Sequence, residues 1–391
     1  MGYVGMNTKA IGIVTGARSD YGLLRPLLNK ISKTPNLELL LYVTGMHLSD
    51  EYGKTHQLIK EDGYKITAEV DMLLASDSPS SIAKSMGIGT FGFGQAFQNN
   101  LPDLLIVLGD RFEMHCAAVA SIPFNIPLAH IHGGELTYGA FDNELRHSLT
   151  KLSHFHFATT EEYAKRIKHM GEEPWRIQVT GALGIDNIVN TPILSKQELK
   201  IKYKLDLSNP VLLVTFHPVT REYNHTQEYI LSLLNALKYF SDFNIIFTGP
   251  NADPGNRIIT DQIKCFIKSR PKHLFITNFN QQGYLSTLAH ATAMIGNSSS
   301  GIIEAPSFKL PVVNIGTRQQ GRIMSANIIN VGYSSQDIQN GLKKALSKNF
   351  SARLKTLNNP YGDGQASKKI VEYLVEINLD QLRKKRFYET K

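Results

Sequence analysis

The stretch PLAHIHGGE, residues 127–135, closes an apolar run with His130, His132, a glycine pair and Glu135. Imidazole and carboxylate groups at the end of a buried strand are the equipment of general acid–base chemistry, because their surroundings can bring both into the neutral range. Gly133 and Gly134 let the backbone turn tightly there or approach a ligand. A second such end is LLIVLGDRFE, residues 104–113, where Gly109, Asp110 and Arg111 fall between a strand and a helix. Asp110 reads as an N-cap or, on the same edge as His132, as a carboxylate tuned by histidines and an arginine into an acid or base. In DNELRHSLTKLSHFHF, residues 142–157, Asp142 opens a helix on which Arg146 shares a face with Thr150, and His147 with Lys151. His154 and His156 alternate with apolar residues on the next strand and read as core or supporting groups.

A different chemistry, the holding of anions, is suggested elsewhere. In VTGARSDYGLL, residues 14–24, Arg18 stands at a strand-to-helix turn. It reads as a phosphate contact at a helix amino terminus or as an arginine on a solvated loop, with Asp20 as the N-cap. In VTFHPVTRE, residues 214–222, His217 ends a strand and reads as a buried, satisfied histidine or as a substrate contact. The run MIGNSSSGIIEAPSFKLPVVNIGTR, residues 294–318, offers the most. Ser298, Ser299 and the N–H of Gly301 suit a diphosphate, Glu304 suits ribose hydroxyls, and Arg318 adds positive charge. A serine-rich turn is also an ordinary turn.

The elements that must position these groups follow from the apolar pattern. AIGIVTG, LELLLYVTG, DLLIVLGD, IPLAHIHGG, SHFHFATT and RIQVTG are short apolar runs separated by amphipathic helical segments. Parallel strands covered on both faces have this signature. After a linker-like GIDNIVNTPILS the alternation restarts with PVLLVTFHP, FNIIFTGPN, HLFITNF, ATAMIGNSSSG and LPVVNIGTR. The expectation is an α/β protein of two doubly wound, Rossmann-like domains with a cleft between them: residues 8–185 and 186–365, with a last helix inside 366–391 packing on either. Loops at the strands' carboxyl ends then line the ligand site.

Composition narrows the function class. The chain has 391 residues, 42% hydrophobic and 19% charged, as a folded globular protein requires. Its formal charge of +8 reads as a basic surface with a lysine-rich tail, LRKKRFYETK. Basic residues interleaved with aromatics do not form a stripe elsewhere, which argues against nucleic acid as a partner. Cys116 and Cys265, the only cysteines, lack metal-ligand spacing. No signal-peptide pattern and no apolar run of membrane-spanning length occur, so a cytoplasmic protein without a membrane partner is expected.

The motifs GARSDYG, GDRFE, HIHGGE, DNELRHSLTKLSH, FHPVT, GNSSSGIIEAP and NIGTRQQGR, in this order over most of the chain, closely resemble the hydrolysing UDP-N-acetylglucosamine 2-epimerases of sialic acid biosynthesis. The resemblance implies a glycosyltransferase-B-like fold, no cofactor (neither metal nor nicotinamide), and a homo-oligomer, dimer or tetramer. It implies conversion of UDP-N-acetylglucosamine and water to N-acetylmannosamine and UDP through a 2-acetamidoglucal. Carried over by position, Arg18, Ser298, Ser299, Gly301, Glu304 and Arg318 contact the nucleotide diphosphate, with Asn251 near the uridine or ribose. Asp110, His132, Glu135, Asp142 and His217 form the catalytic set, and Arg111, Arg146 and His147 stand behind the sugar. Many relatives carry glutamate where this chain has His132, which assigns the acid–base role to the imidazole or to Glu135. The HIHGGE form is similar to relatives acting on nucleotide-linked diacetylbacillosamine for legionaminic acid. A non-hydrolysing epimerase, returning the diphosphate to the glucal, is a further reading.

Overall fold

A computed structural model describes residues 8–50, 53–75, 78–136, 142–249, 255–277 and 279–389. The chain divides into two compact units. One takes the described chain through Glu135, the stretch ending at Asn187 and everything from Tyr361 on; the other runs from Ile188 to Pro360.

The first unit is built on seven strands: β1 (Lys9–Thr15), β2 (Leu37–Thr44), β3 (Ile66–Val70), β4 (Leu104–Leu108), β5 (Leu128–Ile131), β6 (Phe155–Ala158) and β7 (Ile177–Val179). They pair in parallel in the order β3-β2-β1-β4-β5-β6-β7. The second unit has six: β8 (Val211–Thr215), β9 (Asn244–Thr248), β10 (Leu274–Ile276), β11 (Ala293–Gly296), β12 (Val312–Ile315) and β13 (Ile328–Val331). These are also parallel, in the order β10-β9-β8-β11-β12-β13. Central strands such as β4 and β8 are buried at every residue, which their unbroken apolar sequences require once helices cover both faces. Strand order reverses between β1 and β4 and between β8 and β11. Loops leaving the carboxyl ends at these switch points are where open α/β sheets bind ligands.

Two elements differ from the sequence reading. The linker-like segment is in part a helix, Leu183–Asn190, whose first five residues are buried. Its Asp186 carboxylate accepts the backbone N–H groups of Ala366 (2.8 Å) and Ser367 (2.7 Å), capping the late helix Ala366–Glu376. That helix packs on the first unit: Ile370 and Leu374 join Leu24, Leu28 and Ile31 of the helix Arg18–Ser32 in one core. The basic tail is docked rather than solvated. Arg176, fully buried, donates to the carbonyls of Leu382 and Lys384 at 2.8 Å each. Lys385 pairs with the buried Glu172 at 2.9 Å. Among the described residues no helix is long and apolar enough to cross a membrane.

Candidate active site

In the first unit the carboxyl edge is organised by one arginine. Arg146, on the helix Asp142–Leu152, is 4% exposed and reaches three groups from separate segments. It pairs with Asp110, just past β4, and with Oε2 of Glu135 at 3.1 Å, and it donates to the carbonyl of His132 at 3.2 Å. Glu135 is 1% exposed, and its Oε1 accepts from Nδ1 of His132 (2.9 Å) and from the Thr159 hydroxyl (3.1 Å). Asp110, His132, Glu135 and Arg146 therefore form one connected network. The N-cap reading of Asp110 does not hold: Arg111 occupies the cap position of the helix Phe112–Ser121, and the Asp110 carboxylate turns to Arg146.

The glycine pair after β5 answers to packing against protein. A Cβ on Gly133 would sit 2.9 Å from Nδ1 of His130, and one on Gly134, at φ +75°, would sit 2.6 Å from the carbonyl of Tyr163. Without Cβ atoms the loop lies flat against its neighbours and delivers His132 and Glu135 to the edge. His130 holds the adjoining loop by donating from Nε2 to the carbonyl of Gly109 at 2.7 Å. Burial pushes its pKa down to about 3, so it serves as a neutral donor. His156 is fully buried, with Nε2 3.1 Å from Glu172, and His154 Nδ1 accepts the Leu128 N–H at 3.2 Å. His147 is half-buried and its Nδ1 is enclosed without a hydrogen-bond partner among the described residues; burial, then Arg146, lowers its pKa.

A second charged cluster lies beside the first. Arg111 pairs with the fully buried Glu113 at 2.5 Å and lies 3.6 Å from Asp20. Asp20 is not an N-cap; Ala17 holds that position, and Asp20 is buried in the first helical turn. Desolvation pushes its carboxyl up to about 6 against the pull of Arg111. Arg18 is exposed at the helix start. Asn251 and the side chain of Asp142 lie outside the described residues.

At the second unit's switch point the groups are smaller and mostly uncharged. Asn297 clamps the end of β8: its Oδ1 accepts from the His217 N–H at 2.7 Å and its Nδ2 donates to the His217 carbonyl at 2.8 Å. Gly296 makes this crossing possible, since a Cβ there would lie 1.9 Å from the carbonyl of Thr215. Arg318 (3.1 Å) and Gln319 (2.9 Å) both donate to the carbonyl of Asn297, tying the loop after β12 to the serine run. Ser298 caps the short helix Ser299–Ile303 by accepting from the Ser300 N–H, and Tyr284 hydrogen-bonds to the Ser300 hydroxyl. The N–H of Gly301, expected to meet a phosphate, instead donates to the carbonyl of Ser298 at 3.2 Å. His217 is 6% exposed, and burial, then Arg318, brings its pKa down to about 3. Glu304 keeps some exposed surface, but its Oε2 is enclosed without a hydrogen-bond partner among the described residues, and burial pushes the carboxyl up to about 7.

Sequence reasoning missed Asn297 as a clamp, Thr159 and Glu113 as supports, and Tyr284. Asn297 alone carried a signal, standing first in the NSSSG run directly after a strand.

A family model for UDP-N-acetylglucosamine 2-epimerase matches residues 29–375. The chain is 39% identical over 354 residues to polysialic acid biosynthesis protein P7 of Escherichia coli, covering 90% of each. It is also 39% identical over 386 residues to the GDP/UDP-N,N'-diacetylbacillosamine 2-epimerase (hydrolyzing) of Campylobacter jejuni, covering 98% of this chain and 100% of that one. The solved structure of UDP-GlcNAc 2-epimerase from Neisseria meningitidis bound to UDP-GlcNAc shares the fold, with a TM-score of 0.81 at 19% identity over 94% of this chain and 100% of that one. The chain belongs to the UDP-N-acetylglucosamine 2-epimerase family, and is an enzyme of its hydrolysing type.

Proposed function

We propose that the protein hydrolyses a UDP-linked 2-acetamido sugar with inversion at carbon 2, taking UDP-N-acetylglucosamine and water to N-acetylmannosamine and UDP for sialic acid biosynthesis. The observation that carries this reading is the buried network joining Asp110, His132 and Glu135 through Arg146 at the first switch point. The sugar's C2 hydrogen is not beside a carbonyl, so no carboxylate removes it directly. Departure of the diphosphate must develop positive charge at the anomeric carbon, which acidifies that hydrogen. Stabilising the leaving diphosphate calls for cations and oriented donors; Arg18, Arg318 and the Ser298–Ser299 turn are the groups for it. Acid–base groups then take the C2 proton and add water to the resulting glucal from the other face, each contributing about 10²- to 10⁴-fold. The Asp110–His132 network suits that work, with Asp142 and His217 as further sugar contacts and Glu304 on the ribose.

A second reading, hydrolysis of the diacetylbacillosamine nucleotide, is favoured by the end-to-end match to the Campylobacter jejuni relative. Proton NMR of the products tests both. Incubation with UDP-N-acetylglucosamine should release free N-acetylmannosamine and one equivalent of UDP. Faster turnover of the diacetylbacillosamine nucleotide would move the substrate to the second reading, and a product that keeps its nucleotide would contradict both.

A further inference from the structure

The two proton-carrying groups of the first network differ in what they leave open. Both oxygens of Glu135 are engaged, by His132 and Thr159 on one side and Arg146 on the other, and the residue is 1% exposed. His132 is buried as well, yet only its Nδ1 is engaged; Nε2 is enclosed without a hydrogen-bond partner among the described residues. A carboxylate oxygen accepts, so the shared hydrogen is Nδ1–H, and in its base form the ring carries its lone pair at Nε2. Enclosing such an acceptor without a partner is unfavourable. The backbone adds a second cost, since His132 is held at φ +67°, a left-handed conformation that a side-chain-bearing residue rarely adopts. Two unfavourable features on one residue mark a group held in place for function.

We propose, resting on the hydrolysing 2-epimerase reading, that Nε2 of His132 is the base that removes the sugar C2 proton, and that Glu135 is its positioning residue. In the step, the C2–H bond breaks and its proton passes to Nε2. The C–H electron pair forms the C1=C2 bond while the C1–O bond to the diphosphate breaks, its pair leaving on UDP. Around His132 stand Glu135, paired with its Nδ1, Arg146 from the helix Asp142–Leu152, which donates to its carbonyl, and His130 from β5; Asp110 from the loop after β4 joins them through Arg146. Glu135 and Asp110 flank Arg146, so the cation formed at His132 enters a cluster holding two carboxylates against one guanidinium.

The test uses the full chain. In the ¹⁵N-labelled protein, NMR at neutral pH should show His132 protonated at Nδ1 and bare at Nε2; the opposite tautomer overturns the proposal whatever the activity. Asn tolerates the left-handed backbone, so His132→Asn should keep UDP affinity by calorimetry while kcat and C2 deuterium exchange fall about 10²- to 10⁴-fold. Near-normal exchange in that variant overturns it. In Glu135→Gln the amide can donate to Nδ1 and select the wrong tautomer, so kcat should drop at least about 10²-fold with KM within about threefold. A raised KM at unchanged kcat would assign Glu135 to binding instead and overturn it. If the wild-type enzyme itself releases neither UDP nor free sugar, it is the epimerase reading that fails; wild-type turnover with an active His132→Asn variant removes only the base assignment.

Discussion

The two switch-point edges of this chain share a topology and differ in material. At the β1/β4 edge, ionisable groups are locked to one another: Arg146 is buried against Asp110 and Glu135, and Arg111 pairs with the buried Glu113. At the β8/β11 edge, an amide clamp, serine hydroxyls and backbone carbonyls do the work, and the enclosed Oε2 of Glu304 has no hydrogen-bond partner among the described residues. The first edge suits proton transfer, which demands fixed geometry. The second suits a ligand that brings its own charge and hydroxyls. On the proposed reading the same α/β frame serves two chemistries, because what differs is the few residues after each strand.

The comparison can be broken first at Arg146. Arg146→Ala leaves two carboxylates without their cation, and removing one partner from a buried pair typically costs about 3–5 kcal/mol; chemical denaturation should show that loss together with abolished turnover. A variant as stable as wild type would mean the network does not hold the edge together. Next, Asp110→Asn should lower kcat about 10²- to 10⁴-fold with UDP affinity little changed, whereas weakened UDP binding at normal kcat would move Asp110 to the nucleotide. On the second edge, Arg318→Ala should weaken UDP binding by about 1.5–3 kcal/mol, the worth of a charge-assisted hydrogen bond, with calorimetry as the measurement.

A last effect is a pH dependence. Glu304 is raised from 4.5 to about 7 in the folded chain. Between those values the folded state keeps a proton that the unfolded state has lost, so stability should fall as pH rises from about 4.5 to about 7 and level off above. Glu304→Gln should lose that slope in denaturation curves taken across the window. An unchanged slope would place its origin elsewhere.

Much of this was legible in the sequence because apolar runs mark buried parallel strands and chemistry clusters at their ends. The strands left unread, β3 and β13, are edge strands, only partly buried, so their sequences ITAEV and IINV lack the unbroken apolar signature. The glycines of HIHGGE were legible as a tight approach but not as an approach to His130 and Tyr163, since the folding back of the loop onto His130 is not written in the motif and Tyr163 comes from a distant segment. Asp20 had the spacing of a cap, yet it sits buried inside the first helical turn, with Arg111 from another loop nearby. The tail read as solvent-facing charge because nothing local announces the buried Arg176 and Glu172 that receive it.

Turnover in deuterated water tests the central claim most directly, that the first unit's edge moves the proton on carbon 2 while the second unit's edge holds the nucleotide. The account predicts free sugar of inverted configuration carrying one solvent deuterium at carbon 2, formed in step with UDP, with formation of that product slowed about 10²- to 10⁴-fold on changing Asp110 or His132 and UDP binding weakened on changing Arg318. Product that retains the substrate's own hydrogen at carbon 2 would contradict it.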